Sequence, residues 1–294
     1  MNILIALNEK YIPHAKVMLA SLRENMPKER LDVYLLYSNI DKKAIESFCF
    51  YLKNRHGVNL VDIKLNTTPF DECKIGMHLS VETLYRLMAT EVLPKSLERV
   101  IWLDCDIVVN HDISAFYHAE MNSEFICACK GRGIIEKHNE RLGLSDKHIY
   151  FNAGVLVMNL KLMREANVFN KYIDIINEYG DRLSFLDQDI LNIAFTGSDV
   201  KYFDSDIYNC QIARDFYVEP KQMNSFLNNC CVMHFAAAAK PWNNTYRNGL
   251  EKFYWKYALK DGRYMEYIKF MIKAPIYSAI LRQKIKKMKQ YSFE

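Results

Sequence analysis

The most informative run in the chain is Arg99-Val-Ile-Trp-Leu-Asp-Cys-Asp106, in which an almost continuous apolar segment ends at two aspartates. A strand that is buried on both faces has such a sequence, which is typical of the centre of a parallel sheet. Because residues two apart in an extended backbone point to the same face, we expect the carboxylates of Asp104 and Asp106 to converge. The pair follows the carboxyl end of its strand, where open α/β sheets bind ligands.

Short β-rich segments alternate with helical patterns on both sides of this run. The predicted strands cover residues 2–7, 31–37, 59–65, 99–103, 125–129, 151–160 and 230–235, and the predicted helices cover residues 12–25, 42–55, 79–92, 163–179 and 190–195. No linker-like segment divides them, so the sequence predicts one α/β domain over residues 1–260, with a mostly parallel sheet flanked by helices. Residues 261–294 are predicted to form a basic helical extension.

The composition is that of a globular protein. The 294 residues are 50% hydrophobic and 25% charged, with 10 glycines and 7 prolines, which excludes a disordered or low-complexity chain. Apolar runs are far shorter than the roughly 18 residues of a membrane span. Residues 264–294 hold seven of the 39 basic and two of the 35 acidic residues, so the body is neutral, which argues against a nucleic-acid partner. Eight cysteines without a C-x-x-C spacing suit the reducing cytoplasm.

A metal site is one interpretation of the two aspartates, because hard oxygen ligands at a strand end suit Mg²⁺ or Mn²⁺ on a substrate phosphate. The other is a solvated turn. His234 ends a second apolar run, and it is either a third ligand, which would favour Mn²⁺, or a hydrogen-bonded core residue. Lys240 would offer a point charge to a diphosphate. The chain has no G-x-G-x-x-G and no G-x-x-x-x-G-K-[ST] motif, which argues against NAD and P-loop enzymes.

Four motifs occur together in a specific order and spacing. They are Trp102-Leu-Asp-Cys-Asp106, Tyr150-Phe-Asn-Ala-Gly-Val-Leu-Val-Met-Asn159, Asp187-Gln-Asp-Ile-Leu-Asn192, and His234 followed by Lys240-Pro-Trp242. With this combination the chain resembles glycosyltransferase family 8, the retaining α-galactosyl- and α-glucosyltransferases that use UDP-sugars and include bacterial lipooligosaccharide galactosyltransferases. The resemblance covers nearly the whole chain and implies a Rossmann-like GT-A fold. It also implies that Asp104, Asp106 and His234 hold Mn²⁺, or alternatively Mg²⁺, on the UDP diphosphate.

The resemblance assigns roles to further residues, position by position. Those implied to bind the nucleotide and its phosphates are Ala6, Asn8, Tyr11, Asp104, Cys105, Asp106 and Lys240. Those implied to line the donor-sugar site are Arg86, Asn152, Asp187 and Gln188, of which Asp187 and Gln188 form the implied catalytic pair. Structural alternatives apply to three of them: Arg86 as an exposed helix charge, Asn152 as a residue that satisfies a bulge, and Asp187 as the cap of a helix that begins near Ile190.

The function implied by the resemblance is Mn²⁺-dependent transfer of galactose or glucose from a UDP-sugar to a hydroxyl of a glycan or glycolipid, with an α linkage. Because Gln188 is an amide and a weak nucleophile, we expect same-face attack by the acceptor, with Asp187 and Gln188 stabilising the sugar cation. Lys10, Lys130 and Ala237 depart from the family pattern. The alternative function is a catalytically inactive sugar-nucleotide or polysaccharide binder. A phosphoryl- or nucleotidyl-transferase would need a glycine loop that this sequence lacks.

The segment over residues 274–294 places Tyr277, Leu281, Ile285 and Met288 at helical spacing among basic residues. This pattern predicts a short amphipathic helix that binds weakly to an anionic membrane surface. The alternative is a solvated helix packed on the body. The first interpretation predicts a cytoplasmic enzyme, peripheral at the inner face of the cell membrane, that acts on a lipid-linked or cell-envelope glycan.

Overall fold

The computed structural model describes residues 1–70, 81–133, 135–213, 216–236, 240–243 and 249–272. The strands in these ranges are β1 (Asn2–Ala6), β2 (Asp32–Tyr37), β3 (Asn59–Lys64), β4 (Arg99–Leu103), β5 (Ile107–Val109), β6 (Ile126–Lys130), β7 (Phe151–Asn159), β8 (Val200–Phe203), β9 (Cys210–Gln211) and β10 (Val232–His234). The α-helices in the same ranges are α1 (Ile12–Asn25), α2 (Lys42–His56), α3 (Ala89–Val92), α4 (Ser114–Tyr117), α5 (Ile135–Leu142), α6 (Leu160–Glu165), α7 (Val168–Tyr179), α8 (Asp187–Ala194), α9 (Ser205–Tyr208), α10 (Met223–Asn229) and α11 (Glu251–Lys260). Residues 264–272 are also helical.

The larger sheet is mixed, with the strand order β3-β2-β1-β4-β7-β6-β8. Its central strand β4 is parallel to β1 and antiparallel to β7. β7 is also antiparallel to β6, whereas the other neighbours pair in parallel. The prediction of a mostly parallel α/β sheet is confirmed, but the expectation of parallel partners on both sides of β4 is wrong. The chain leaves the larger sheet at the carboxyl end of β6 and re-enters it through β7 at the same end of the sheet. β7 therefore starts beside the point where β4 ends.

Both faces of this sheet are buried, which explains the apolar runs in the sequence. Alternate residues of β1 face opposite sides, with Ile3 and Ile5 in the core of one face and Leu4 in the core of the other. In β4, Ile101 and Trp102 divide between the same two cores. Burial of apolar surface stabilises the folded state by about 25 cal/mol per Å². The two cores therefore fix the sheet, and with it the strand ends that carry polar side chains.

A smaller sheet of β5, β10 and β9 packs against α11. β10 lies in the middle, antiparallel to β5 and parallel to β9. Met233 of β10 shares a buried cluster with Tyr254 and Trp255 of α11. The sequence predicted a strand over residues 230–235, of which Val232–His234 is observed, but it predicted neither β5 nor β9. Strands of two or three residues are too short for a periodic pattern.

Three predicted helices differ from the observed ones. The pattern over residues 163–179 contains a break, because the chain turns at Asn167, whose φ of 50° lies in the left-handed region. The segment predicted over 79–92 is a 3₁₀ helix over Val81–Met88 followed by the short helix α3, and its first two residues lie outside the described ranges. The helix predicted over residues 190–195 is observed as α8, which begins at Asp187 rather than near Ile190.

The structure describes only part of the C-terminal region for which a helix is predicted. Residues 264–272 are helical, but the predicted amphipathic helix over residues 274–294 lies outside the described residues. Ala237 also lies outside them. Among the helices of the described ranges, none combines the length and apolar character needed to cross a bilayer. The division into residues 1–260 and 261–294 stays a prediction.

Candidate active site at the junction of the two sheets

The segment Asp104-Cys105-Asp106 joins the two sheets, because β4 of the larger sheet ends just before it and β5 of the smaller sheet begins just after it. The Asp104 amide donates to the Gly154 carbonyl on β7 at 2.9 Å, and the Asp106 carbonyl accepts from the Phe235 amide at 3.0 Å. Each aspartate is therefore fixed to a different sheet. The carboxylates do converge, as predicted, but a turn and not an extended strand brings them together.

Asp104, Asp106 and His234 each offer one ligand atom, and these atoms lie within 4.8 Å of one another. His234 Nε2 is 3.7 Å from Asp104 Oδ2 and 3.3 Å from Asp106 Oδ1. Asp106 Oδ1 is buried and accepts no hydrogen bond. A buried carboxylate oxygen without a donor is costly unless a cation satisfies it. Two carboxylate oxygens and one imidazole nitrogen could therefore hold a divalent metal ion here.

Gly154 provides the space beside these ligands. A Cβ at this position would lie 2.2 Å from His234 Cε1 and 2.7 Å from Asp104 Oδ2. Since non-bonded heavy atoms do not approach so closely, any side chain would displace the His234 ring or the Asp104 carboxylate. The absence of a side chain at Gly154 is thus a requirement of this three-residue site.

Lys240 contributes positive charge to the cluster. Its Nζ donates to the Asp106 carboxylate and, at 2.8 Å, to the Phe235 carbonyl. Burial raises the pKa of Asp106, but the Lys240 charge, together with the contact to His234, outweighs burial and holds that pKa below its usual range. Burial lowers the pKa of Lys240, yet Asp106 outweighs it and the net shift is upward. Both groups are therefore charged near neutral pH.

The segment Lys240-Pro241-Trp242 is anchored by aromatic residues. The Trp242 ring stacks on His14 with a centroid distance of 3.6 Å and lies 5.1 Å from the Tyr254 ring. Trp255 Nε1 donates to the Pro241 carbonyl at 3.1 Å, and His14 Nδ1 lies 2.7 Å from Tyr254 Oη. These contacts fix the backbone on which Lys240 stands. The sequence motif included Trp242, but it gave no signal for His14.

Arg86 is buried, at 3% exposure, so its alternative interpretation as an exposed helix charge is wrong. Its Nη2 lies 3.0 Å from Asp104 Oδ1, its Nε lies 3.0 Å from Asp187 Oδ2, and its guanidinium lies over the Trp102 ring at 4.2 Å. Asp187 is the first residue of α8 and Leu186 occupies its N-cap position, so the alternative in which Asp187 caps a helix that begins near Ile190 is also wrong. Burial, only partly offset by Arg86, raises the pKa of Asp187 to about 6.

Asn152 and Gln188 lie together, as their shared predicted role requires. Asn152 Nδ2 donates to Gln188 Oε1 at 3.0 Å, and the Ala153 amide donates to the same oxygen at 3.1 Å. Asn152 Oδ1 accepts from the Gly154 amide at 2.9 Å. The side chain does hydrogen-bond its own strand, as the bulge alternative proposed, and in addition it reaches the helix that carries Gln188.

Three of the predicted nucleotide-binding residues, Ala6, Asn8 and Tyr11, lie at the end of β1 and in the segment that follows it. The Cys105 thiol belongs to the core and lies 3.9 Å from the Ala6 carbonyl, so the end of β1 adjoins the Asp104–Asp106 turn. Asn8 Oδ1 is buried without a hydrogen-bond partner. Burial raises the pKa of Tyr11, and the Lys240 charge acts against that shift. A base contact by Ala6, Asn8, Tyr11 or Cys105 stays a prediction. Lys10 and Lys130 are exposed.

Several residues of the site were not predicted from the sequence. Tyr150 Oη donates to Asp189 Oδ1 at 2.6 Å and accepts from Gln188 Nε2 at 3.2 Å. Both residues stand inside the quoted motifs, so the motif spacing could have indicated them. Asn209 lies 2.8 Å from His234 Nδ1 through its Oδ1, and nothing in its local sequence marks it. Only the pairing of β9 with β10 brings Asn209 to the histidine.

Comparison with known proteins agrees with this architecture. The chain is 26% identical over 271 residues to general stress protein A of Bacillus subtilis, covering 87% of this chain and 92% of that protein. It is 25% identical over 256 residues to an Escherichia coli lipopolysaccharide 1,2-glucosyltransferase, covering 83% and 73% of the two chains. The crystal structure of the galactosyltransferase LgtC in complex with donor and acceptor sugar analogs matches with a TM-score of 0.75 at 24% identity, covering 88% of this chain and 96% of that one. That likeness confirms the predicted fold.

The family model for glycosyl transferase family 8 matches residues 2–246, which is most of the chain and contains every predicted site residue. The prediction that the chain is a glycosyltransferase is therefore confirmed, and the chain belongs to glycosyl transferase family 8.

Proposed function

We propose that this protein is a metal-dependent, retaining hexosyltransferase. In this proposal it moves galactose or glucose from a UDP-sugar to a hydroxyl of a saccharide or glycolipid, with an α linkage. The observation that carries the proposal is the buried Asp106 Oδ1, which accepts no hydrogen bond and lies 3.3 Å from His234 Nε2 in a space that only a glycine at position 154 leaves open. A buried carboxylate arranged in this way would suit a divalent cation that neutralises the charge of a diphosphate.

The proposed metal is Mn²⁺, with Mg²⁺ as the alternative. Asp104 and Asp106 are hard oxygen ligands, whereas His234 adds a nitrogen ligand that favours the transition ion. When bound, the ion would stabilise the negative charge that develops on the departing UDP. Lys240 would act on the same charge, since its Nζ is already held at the edge of the site by the Phe235 carbonyl.

The proposed catalytic pair is Asp187 and Gln188. Gln188 Oε1 already accepts two hydrogen bonds, from Asn152 and Ala153, which makes this amide a still weaker nucleophile and favours same-face attack by the acceptor hydroxyl, whose proton passes to the phosphate of the departing UDP. We assign stabilisation of the sugar cation to the Asp187 carboxylate and orientation of the sugar to Gln188. Arg86 holds Asp187 in place from the side of the metal ligands.

Two relatives support both hexoses, since one is a lipopolysaccharide glucosyltransferase and the other is a galactosyltransferase. A lipid-linked acceptor would agree with the C-terminal region of this chain. The helical residues 264–272 expose apolar side chains, namely Tyr264, Met265, Ile268, Met271 and Ile272. We propose that this face and the basic segment that follows bind the anionic inner surface of the cell membrane, where the enzyme acts from the cytoplasm.

The central experiment measures transfer from UDP-galactose and UDP-glucose, with hydrolysis of the donor as a second readout. We expect activity with Mn²⁺, loss of activity in EDTA, and a loss of several orders of magnitude in Asp104→Asn or Asp106→Asn. Asp62→Asn, which changes an exposed aspartate far from the site, is the matched control. Full activity in EDTA would refute the metal assignment. Tight UDP-sugar binding in thermal-shift assays without turnover would support the inactive-binder alternative.

A separate experiment tests the stereochemistry and the membrane contact. NMR of the new anomeric proton should show an α linkage, and a β-linked product would contradict the retaining mechanism. Sedimentation with anionic vesicles should recover the full chain at low salt and much less of a chain that ends at residue 263. Equal binding of both chains would show that the C-terminal region is not the membrane contact.

A further inference from the structure

A continuous row of side-chain amides connects the metal-ligand histidine to the predicted catalytic glutamine. His234 Nδ1 lies 2.8 Å from Asn209 Oδ1, and Asn209 Nδ2 donates to Asn152 Oδ1 at 2.9 Å. Asn152 Nδ2 then donates to Gln188 Oε1 at 3.0 Å. Gln188 Nε2 ends the row by donating to Tyr150 Oη at 3.2 Å.

The direction of these hydrogen bonds is fixed by groups that cannot reverse. The Gly154 amide can only donate, so the atom of Asn152 that it contacts is the oxygen. The Ala153 amide fixes Gln188 Oε1 in the same way. At the far end, the Tyr150 hydroxyl donates to the Asp189 carboxylate, so it must accept from Gln188 Nε2. Flipping any one amide would therefore set two acceptors or two donors against each other.

This direction determines the proton on His234. Because Asn209 Nδ2 is committed to Asn152, Asn209 presents its oxygen to His234. An oxygen accepts only, so Nδ1 of a neutral His234 carries the proton and Nε2 carries the lone pair. Nε2 is the atom that faces Asp104 and Asp106. The imidazole is thus held in the form in which a metal can bind at the carboxylate side.

We propose that Asn209 is a positioning residue that sets the tautomer and the ring orientation of His234. Asn209 is completely buried, and it contacts Nδ1 of the histidine from the position just before β9, while the Asp104–Asp106 turn lies on the Nε2 side of the ring. The part of this inference that concerns metal affinity rests on the proposed function. The tautomer itself can be measured without any metal.

Two substitutions separate the effects of the two hydrogen bonds that Asn209 makes, to His234 and to Asn152. Asn209→Leu has nearly the same size and removes both hydrogen bonds. Asn209→Asp keeps an acceptor for His234 Nδ1 and loses the donor to Asn152. We expect His234 to change to the Nε2-protonated tautomer in the leucine variant, because Asp106 Oδ1 is the acceptor that remains. The aspartate variant should keep the Nδ1-protonated form.

The readouts are long-range ¹H–¹⁵N NMR of ¹⁵N-histidine-labelled protein and Mn²⁺ binding followed by electron paramagnetic resonance. His234→Gln identifies the His234 signals among the eight histidines. Loss of a residue that orients a metal ligand weakens metal binding by about 10- to 100-fold, and we expect this for Asn209→Leu and not for Asn209→Asp. Asn139→Asp, at an equally buried amide outside the site, controls for general damage and should preserve both readouts.

An unchanged His234 tautomer in Asn209→Leu would overturn the inference, as would equal losses of Mn²⁺ affinity in the leucine and aspartate variants. If the tautomer changes as expected while the wild-type protein binds no Mn²⁺, the positioning role stands and the metal assignment of the proposed function fails. The two ideas are therefore tested separately by the same set of samples.

Discussion

Arg86 Nε lies 3.0 Å from Asp187 Oδ2, and both side chains are buried. The other end of the same guanidinium lies 3.0 Å from Asp104 Oδ1 and stacks over Trp102. A single cation therefore joins a carboxylate of the predicted sugar site to a carboxylate of the predicted metal site. Arg86 therefore compensates negative charge in both sites. A change in either carboxylate alters the electrostatic surroundings of the other.

Replacing Arg86 with methionine should be strongly destabilising. Removing one partner of a buried ion pair leaves an uncompensated charge and costs about 3–5 kcal/mol. The free energy of unfolding in urea measures this loss, and adding Asp187→Asn to the variant should recover part of it. Arg132→Met is the control, because Arg132 pairs with Asp206 at the surface and such pairs contribute about 1 kcal/mol or less. Similar losses in the two single variants would contradict the central role of Arg86.

Asp187→Asn should change how stability depends on pH. The pKa of Asp187 is raised to about 6 in the fold, mainly by burial, whereas its ordinary value is 3.8. Between these two values the folded state binds the proton more tightly, so stability falls as the pH rises from about 4 to about 6. Relative to the asparagine variant, the wild type should lose up to about 3 kcal/mol over this range. Parallel unfolding free energies from pH 4 to 7.5 would show that Asp187 does not titrate there.

His14 should make the protein sensitive to acid in the opposite sense. Burial, with a further effect of Arg263, lowers the pKa of His14 to about 3 from its ordinary 6.5. Because the unfolded chain takes up this proton first, stability is complete above pH 6.5 and falls by about 1.4 kcal/mol per pH unit below it. His14→Phe keeps a ring against Trp242 and should abolish this slope. A slope that persists in the variant would assign it to other groups.

Gly154→Ala should remove metal binding with only moderate loss of stability. The new Cβ would lie 2.2 Å from His234 Cε1, so the ring must move, and overpacking of this kind costs about 1–3 kcal/mol. Gly131→Ala is the control, since its Cβ would meet only Tyr150 and Asn152 atoms at 3.3 Å or more. Mn²⁺ titration should detect binding in the control alone. Retention of Mn²⁺ binding by Gly154→Ala would contradict the assignment of this space.

Much of the fold followed from local pattern. The runs at β1, β2 and β4 are long and apolar, and the helices α1 and α2 have clear periodicity, so their positions are close to the predicted ones. The direction of β7 and the existence of the smaller sheet depend on pairings between distant segments. Periodicity contains no information about such pairings, and the sequence did not predict these features. It also did not predict the four-residue edge strand β8 of the larger sheet.

The site divides in the same way. Asp104 and Asp106 follow an apolar run that is easily recognised in the sequence as a buried strand. The burial of Arg86, in contrast, depends on partners 18 and 101 positions further along the chain. Asn209 reaches His234 only because β9 and β10 are neighbours. A polar residue whose role depends on one distant hydrogen bond cannot be distinguished from a surface residue in a single sequence.

The smaller sheet joins β5 to β10 through only three paired positions, from Ile107–His234 to Val109–Val232. Local opening of so short a pairing would carry His234 away from Asp104 while the larger sheet stayed folded. An ion held by both sheets would oppose this opening, so amide hydrogen exchange in β10 should slow when Mn²⁺ is added. The rate at which the smaller sheet opens would then limit the rate at which the ion dissociates. The stability of the β5–β10 pairing would thus determine how long the ion stays bound.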